Sequence, residues 1–178
     1  TTPLNPLTDY GKQKMEAEQM ILDRGNAISF RFATAYGVSP RLRLDLLIND
    51  FTFKAVKDKT LIIYEKQFMR TFIHVRDMAR SFLFALENYR DMKDEVYNVG
   101  DNKQNFSKEQ ICFMIREKVD FYLHFAEIGK DLDQRNYRVS YKKLSRLGFQ
   151  CNIVVSEGID ELINVLEVIE VRSPFSNV

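Results

Sequence analysis

Two residues near the start of the sequence could do chemistry together. Tyr10 and Lys14 stand four apart in the run PLTDYGKQKMEAE, so on a helix they share one face. A free tyrosine, with a pKa of about 10, is a poor acid or base at neutral pH. A cation beside it favours the phenolate and brings the phenol into use. Lys14 supplies that cation. Taken alone, the spacing also describes a solvated helix carrying an amphipathic tyrosine, so the surrounding blocks must decide between the two.

No other set of residues competes with this pair. His74 falls in an alternating strand pattern, where a hydrogen-bonded structural histidine is expected, and neither it nor His124 is accompanied by Cys or carboxylates at ligand spacing. Asp77 reads as a helix cap rather than as an acid or base. Cys112 and Cys151 are too few for a disulfide framework and are not spaced for zinc, which suggests a reducing compartment. The 26 Lys plus Arg nearly balance the 25 Asp plus Glu, and no basic stripe stands out, so nucleic acid is not an expected partner. With 178 residues, 45% hydrophobic and 29% charged, the chain has the make-up of a folded, water-soluble protein. No apolar run approaches the roughly 20 residues of a membrane span, and residues 1–10 show no signal-peptide pattern. A cytoplasmic protein without a membrane contact is the default expectation.

The elements that must position Tyr10 and Lys14 can be read along the chain. Thr8 or Asp9 can cap a helix running through Tyr10, Lys14, Ala17 and Ile21, with Gly25 just past its end. Ala27 to Ala33 reads as a buried strand, and Tyr36 and Gly37 as a turn leaving it. Leu42 to Val56 has a helical apolar pattern. Thr60 to Tyr64, Thr71 to Val75, Glu95 to Val99 and Phe121 to Glu127 read as strands. Between and after them, Asp77 is a candidate cap for a helix to Glu87. Ser107 with Gln110 has the capping-box spacing, Tyr141 to Arg146 reads as a short helix stopped by Gly148, and Ser156 as the cap of a last helix. Strands and helices alternate, which implies an α/β architecture.

Several further blocks follow in order: SFRFATAYG (Ser29 to Gly37), SPRLRLD (Ser39 to Asp45), RTFIHVRDMARSFLFALE (Arg70 to Glu87), VYNVGD (Val96 to Asp101), DQRNYRVSYKKLSRLGF (Asp133 to Phe149) and SEGIDEL (Ser156 to Leu162). In this order and spacing the chain resembles the C-terminal part of extended short-chain dehydrogenase/reductases, in particular the NAD-dependent nucleotide-sugar epimerases, dehydratases and dehydrogenases. The likeness extends over nearly all of the sequence.

The resemblance implies a fold: the last part of a Rossmann-type parallel-sheet domain, within residues 1–37, and a smaller C-terminal α/β substrate-binding domain over 38–178, with some segments returning to the first sheet. It also implies roles. Tyr10 is the catalytic acid/base, and Lys14 lowers its pKa while holding the nicotinamide ribose of NAD or NADP. Phe32 and Ala33 lie against the cofactor. Thr34 stands where many relatives have a sugar-contacting asparagine. Arg70 and Arg135 match two arginines that bind the diphosphate of a nucleotide sugar, a task suited to the guanidinium fork. Asn49 either faces the substrate or is an exposed helix residue. A homodimer through the Tyr10-containing helix is implied as well, with Met15, Glu18 and Leu22 partly facing the contact.

The glycine-rich loop that cradles a dinucleotide pyrophosphate has no counterpart in this sequence. The resemblance therefore predicts that these residues are the C-terminal portion of a longer enzyme and do not hold NAD tightly by themselves. An epimerase or dehydrogenase is the leading expectation. A dehydratase on the same substrates and a non-catalytic sugar-nucleotide-binding module are its rivals.

Overall fold

A computed structural model describes residues 3–6, 8–129 and 136–170. Helix α1 (Asp9–Arg24) begins where the Thr8 hydroxyl accepts from the Gly11 N–H at 3.1 Å and ends at Gly25, whose N–H donates to the Leu22 carbonyl. Strand β1 (Ile28–Phe32) follows, then β2 (Thr34–Tyr36), the two separated only by Ala33. β1 runs parallel to β5 (Glu95–Val99), with Ile28 opposite Glu95 and Phe32 opposite Val99. β2 instead runs parallel to β4 (Met69–His74), with Thr34 opposite Phe72 and Tyr36 opposite His74. One extended run thus changes partners at Ala33.

Two expectations change here. β1 is half-buried along its whole length rather than buried, because β5 is its only strand partner among the described residues. Tyr36 is not a turn residue. It is fully buried, its ring edge-on to Phe72 and His74, and the turn starts at Gly37, whose φ of 113° suits glycine.

Helix α2 (Leu47–Phe53) starts five residues later than the apolar pattern suggests. The preceding stretch is held in turns by Arg43 on Asp45, at 2.5 and 3.1 Å, and by the Asn49 amide. A π-turn over Lys54–Asp58 prolongs α2 to Lys59, which takes a left-handed conformation. β3 (Thr60–Tyr64) then pairs in parallel with β7 (Tyr122–Ala126). β4 also pairs antiparallel with β6 (Asn105–Ser107), Met69 opposite Ser107.

Helix α3 (Val75–Glu87) is capped not by Asp77 but by His74, whose Nδ1 accepts from the Arg76 N–H at 3.2 Å. A short α4 (Tyr89–Met92) leads to β5. The capping box expected at Ser107 and Gln110 opens α5 (Lys108–Arg116). A short α6 (Lys142–Ser145) follows, and α7 (Val155–Val168) starts one residue before Ser156, with Glu157 accepting from the Val154 N–H. Ser156 is therefore inside the helix rather than its cap.

Two apolar clusters result. One gathers Ile48, Phe51, Leu61, Phe72, Ile111 and Leu162 between α2, α5, α7 and the strands β3 and β4. The other gathers Ala33, Ile73, Tyr97, Val99, Tyr141 and Leu144 around the β1–β5 pair, α3 and α6. Together they form the α/β arrangement with parallel strand pairs that the sequence implies.

Candidate active site

The first turns of α1 present Tyr10 and Lys14 on the same side, as their spacing requires. The Lys14 ammonium lies over the Tyr10 ring, 5.4 Å from its centroid, close enough for attraction to the ring's negative face. Both side chains are exposed, Tyr10 at 71%. They border a trough of about 780 Å³ between α1 and β1, whose lining includes Pro6, Tyr10, Lys14, Glu18, Phe32 and Ala33. Four residues singled out from the sequence are thereby brought together.

The trough has a simple origin in the strand. Ser29 and Arg31 point to the α1 side, where both bond the Glu18 carboxylate. Phe30 and Phe32 alternate with them; Phe30 packs edge-on against Phe32 and against Phe82 of α3, and Phe32 meets Phe82 at a tilt, with centroids 5.5–5.6 Å apart. Ala33, 6% exposed, has its N–H fixed by the Val99 carbonyl at 2.9 Å. Its small side chain leaves the end of the trough open. Gly100, next to Val99, approaches so closely that an added Cβ would lie 3.1 Å from that of Ala33.

The remaining expected residues lie elsewhere. Thr34, first residue of β2, is half-buried opposite Phe72. Asn49 is not the exposed helix residue of the second alternative. It is 1% exposed, accepts from the Gly37 N–H at 3.0 Å and donates to the Arg43 carbonyl at 2.9 Å. Its amide is thus used in holding the loop between β2 and α2. Arg70 is 2% exposed, donates to the Met69 carbonyl at 3.0 Å and lies 5.8 Å from the Tyr137 ring centroid. Arg135 lies outside the described residues. Asn136, next to it in sequence, accepts from the Met69 N–H at 2.9 Å, which brings that segment alongside the start of β4.

The Glu18 carboxylate turns inward to β1, where Ser29 and Arg31 offer it three donors. The Arg31 hydrogen bond holds this carboxyl below its usual range against the opposing effect of burial, and Glu18 in turn holds the guanidinium above its own. The signal was present in the sequence as two polar residues alternating with Phe30 and Phe32. In the loop before α2, hydrogen bonding to Asp45 holds the Arg43 guanidinium above its usual range against the opposing effect of burial.

His74 is buried and hydrogen-bonded at both ring nitrogens. Burial, and then the charge of Arg76, push His74 down to about 4. With Nδ1 accepting from Arg76, the proton sits on Nε2 and is donated to Glu161 at 3.1 Å. His124 stacks on Tyr122. Among the described residues there is no His, Cys, Asp and Glu grouping that could hold a metal, and no helix long and apolar enough to cross a membrane.

This geometry can be set beside known proteins. A Methanocaldococcus jannaschii protein provisionally named UDP-glucose 4-epimerase is 29% identical over 171 residues, covering 91% of this chain and 54% of that protein. The chain therefore spans about half the length of this curated relative. The solved dTDP-glucose 4,6-dehydratase of Bacillus anthracis, in complex with NAD, matches with a TM-score of 0.75 at 22% identity, covering 93% of this chain and 54% of that one. The UDP-glucose 4-epimerase of Thermus thermophilus, also complexed with NAD, matches with a TM-score of 0.77 at 18% identity, covering 93% and 56%. These structural likenesses establish the fold. Residues 1–100, the stretch that holds Tyr10, Lys14, Ala33 and Arg70, match the profile of one family over more than half of the 178-residue sequence, and the chain belongs to that family, the NAD dependent epimerase/dehydratases.

Proposed function

We propose that this chain is the C-terminal, substrate-binding portion of an NAD(P)-dependent nucleotide-sugar epimerase or dehydrogenase, with Tyr10 as its acid/base. The observation that carries the reading is the Tyr10–Lys14 pair at the mouth of a trough ending at Ala33, inside the stretch that matches the family. The residues fit the nicotinamide end of a dinucleotide. Lys14 offers an exposed ammonium to ribose hydroxyls, and Ala33 leaves room at the end of the trough. When bound, the dinucleotide supplies the acceptor and donor of a hydride at a sugar carbon. Tyr10 Oη takes the proton of the sugar hydroxyl as it is oxidised and returns it when the carbonyl is reduced. Lys14, beside the ring, favours the phenolate that the first of these steps needs.

Arg70, together with Arg135, is proposed to hold the nucleotide diphosphate. The chain around residue 136 runs beside Arg70, which supports a shared site. The segment that cradles the dinucleotide pyrophosphate is proposed to lie in the part of the family fold outside these 178 residues, with the domain division near residue 37. Dimerisation through α1 belongs to the same proposal, by the outward face on which Met20 is 73% exposed.

The test is Tyr10→Phe in the full-length polypeptide, which removes the proton carrier and keeps the ring. Turnover of a nucleotide diphosphate sugar should fall by about 10² to 10⁴ with little change in binding. Turnover within threefold of wild type would remove Tyr10 from the mechanism.

A further inference from the structure

α1 carries Tyr10 and Lys14, yet none of its residues is fully buried. A helix that buries no complete face is poorly fixed in rotation about its own axis, because packing is what normally sets that angle. Here a polar contact sets it. The Glu18 carboxylate accepts from Ser29 Oγ at 2.9 Å and from Arg31 Nε at 2.9 Å on one oxygen, and from Arg31 Nη2 on the other. Its side chain is only 13% exposed. Both donors sit on β1, which leads directly into Phe32 and Ala33.

The spacing along α1 gives this contact its leverage. Glu18 is four residues beyond Lys14 and eight beyond Tyr10. At 3.6 residues per turn each step of four rotates by about 40°, so the three side chains follow one slowly winding stripe over roughly 12 Å. Fixing the far end of that stripe fixes the angle at which the near end meets the trough. A single hydrogen bond would act as a pivot, whereas the two parallel bonds of a guanidinium fork define a plane and resist rotation.

We propose that Glu18, clamped by Arg31 and Ser29, is a positioning residue that sets the orientation of the Tyr10–Lys14 pair; this rests on the reading of Tyr10 as the acid/base. The Arg31 hydrogen bond keeps the Glu18 carboxyl below its ordinary range, so the clamp stays charged through neutral pH.

The test uses the full-length polypeptide with its dinucleotide and a nucleotide diphosphate sugar. In Glu18→Ala, kcat should fall about ten- to a hundredfold with KM for the sugar within threefold, the loss expected when a reacting group is misplaced by about 1 Å. The low-pH limb of the kcat profile should move up by about one unit as the phenol loses its well-placed cation. Arg31→Lys, which replaces the fork by a point charge, should show a smaller loss and the same direction of shift. Amide hydrogen exchange within α1 should rise in both variants.

Tyr10→Phe separates the two ideas. If it leaves turnover near wild type, the acid/base reading fails, and this proposal with it. If Tyr10→Phe abolishes turnover while Glu18→Ala stays within twofold in kcat, or loses thermal stability with an unmoved pH profile, Glu18 is merely structural and the positioning role is refuted. Should Glu18→Ala not fold, Glu18→Gln and Arg31→Lys are judged by the same pH-profile criterion.

Discussion

Replacing Asp77 by alanine should cost this fold about 3 to 4 kcal/mol. Asp77 has a fully buried side chain in the first turn of α3, and its carboxylate accepts from the Asn152 N–H at 3.0 and 3.1 Å, from the Ile153 N–H at 3.0 Å and from Arg80 Nη1 at 2.6 Å. Hydrogen bonds to a charged group contribute about 1.5 to 3 kcal/mol each. Their sum overstates the loss, because Asn152 is exposed and its N–H can turn to water, and because Arg80 keeps a second bond to the Gln150 carbonyl. About half of the sum is the working value. Asp77→Asn keeps the shape and one acceptor but points an NH₂ at a donor, so it should fall between wild type and alanine, losing about 2 kcal/mol. Urea unfolding of the full-length polypeptide measures both. A loss below 0.5 kcal/mol for Asp77→Ala would show that the carboxylate does not clamp the approach to α7.

Three further outcomes are expected. Arg70→Ala should weaken nucleotide diphosphate sugar binding by roughly ten- to a hundredfold while leaving dinucleotide affinity unchanged, since one charge-assisted contact is lost; unchanged affinity in well-folded protein, measured by calorimetry, would exclude Arg70 as a phosphate ligand. His74 has its pKa lowered to about 4 in the fold against about 6.5 when unfolded, so as pH falls below 6.5 the unfolded chain takes up a proton that the native chain refuses. Stability should therefore decline with falling pH between 6.5 and 4, by about 3 kcal/mol in total, and the difference in slope between wild type and His74→Gln over that window should equal about one proton; equal slopes would contradict it. Gly158→Ala would set a Cβ 2.4 Å from Tyr36 Cε2 and 3.1 Å from His74 Cδ2, and should lower stability by about 1 to 3 kcal/mol; an unchanged melting curve would mean that these rings can move aside.

Local signals in the sequence proved sufficient wherever the determinant is local. The Ser107–Gln110 capping box and the Thr8 and Gly25 ends of α1 depend on neighbours within four residues. Thr60–Tyr64 and Glu95–Val99 are bounded where their β-branched and aromatic content begins and ends. Asp77, Asn49 and Tyr36 are placed by partners that are distant or lie on another element. Asp77 finds its backbone donors 75 and 76 residues away. Asn49 closes on Gly37 across a loop, and Tyr36 acquires its burial from β4 and α7. For the candidate site, the four-residue spacing already places Tyr10 and Lys14 on one side of α1. The inward turn of Glu18 required knowing that Arg31 and Ser29 would face α1.

The change of partner at Ala33 bears on how the molecule melts. β1 belongs to one apolar cluster through β5, and β2 belongs to the other through β4, yet a single uninterrupted backbone serves both. Releasing β2 from β4 frees the ψ and φ angles that hold Ala33 against Val99, and loosening β1 removes the anchor of β2. Such a shared seam joins what could have been two separately unfolding units into one cooperative unit. Amides on either side of Ala33 should then exchange with similar opening free energies, and the β1 wall of the trough should keep its shape until the whole unit is lost.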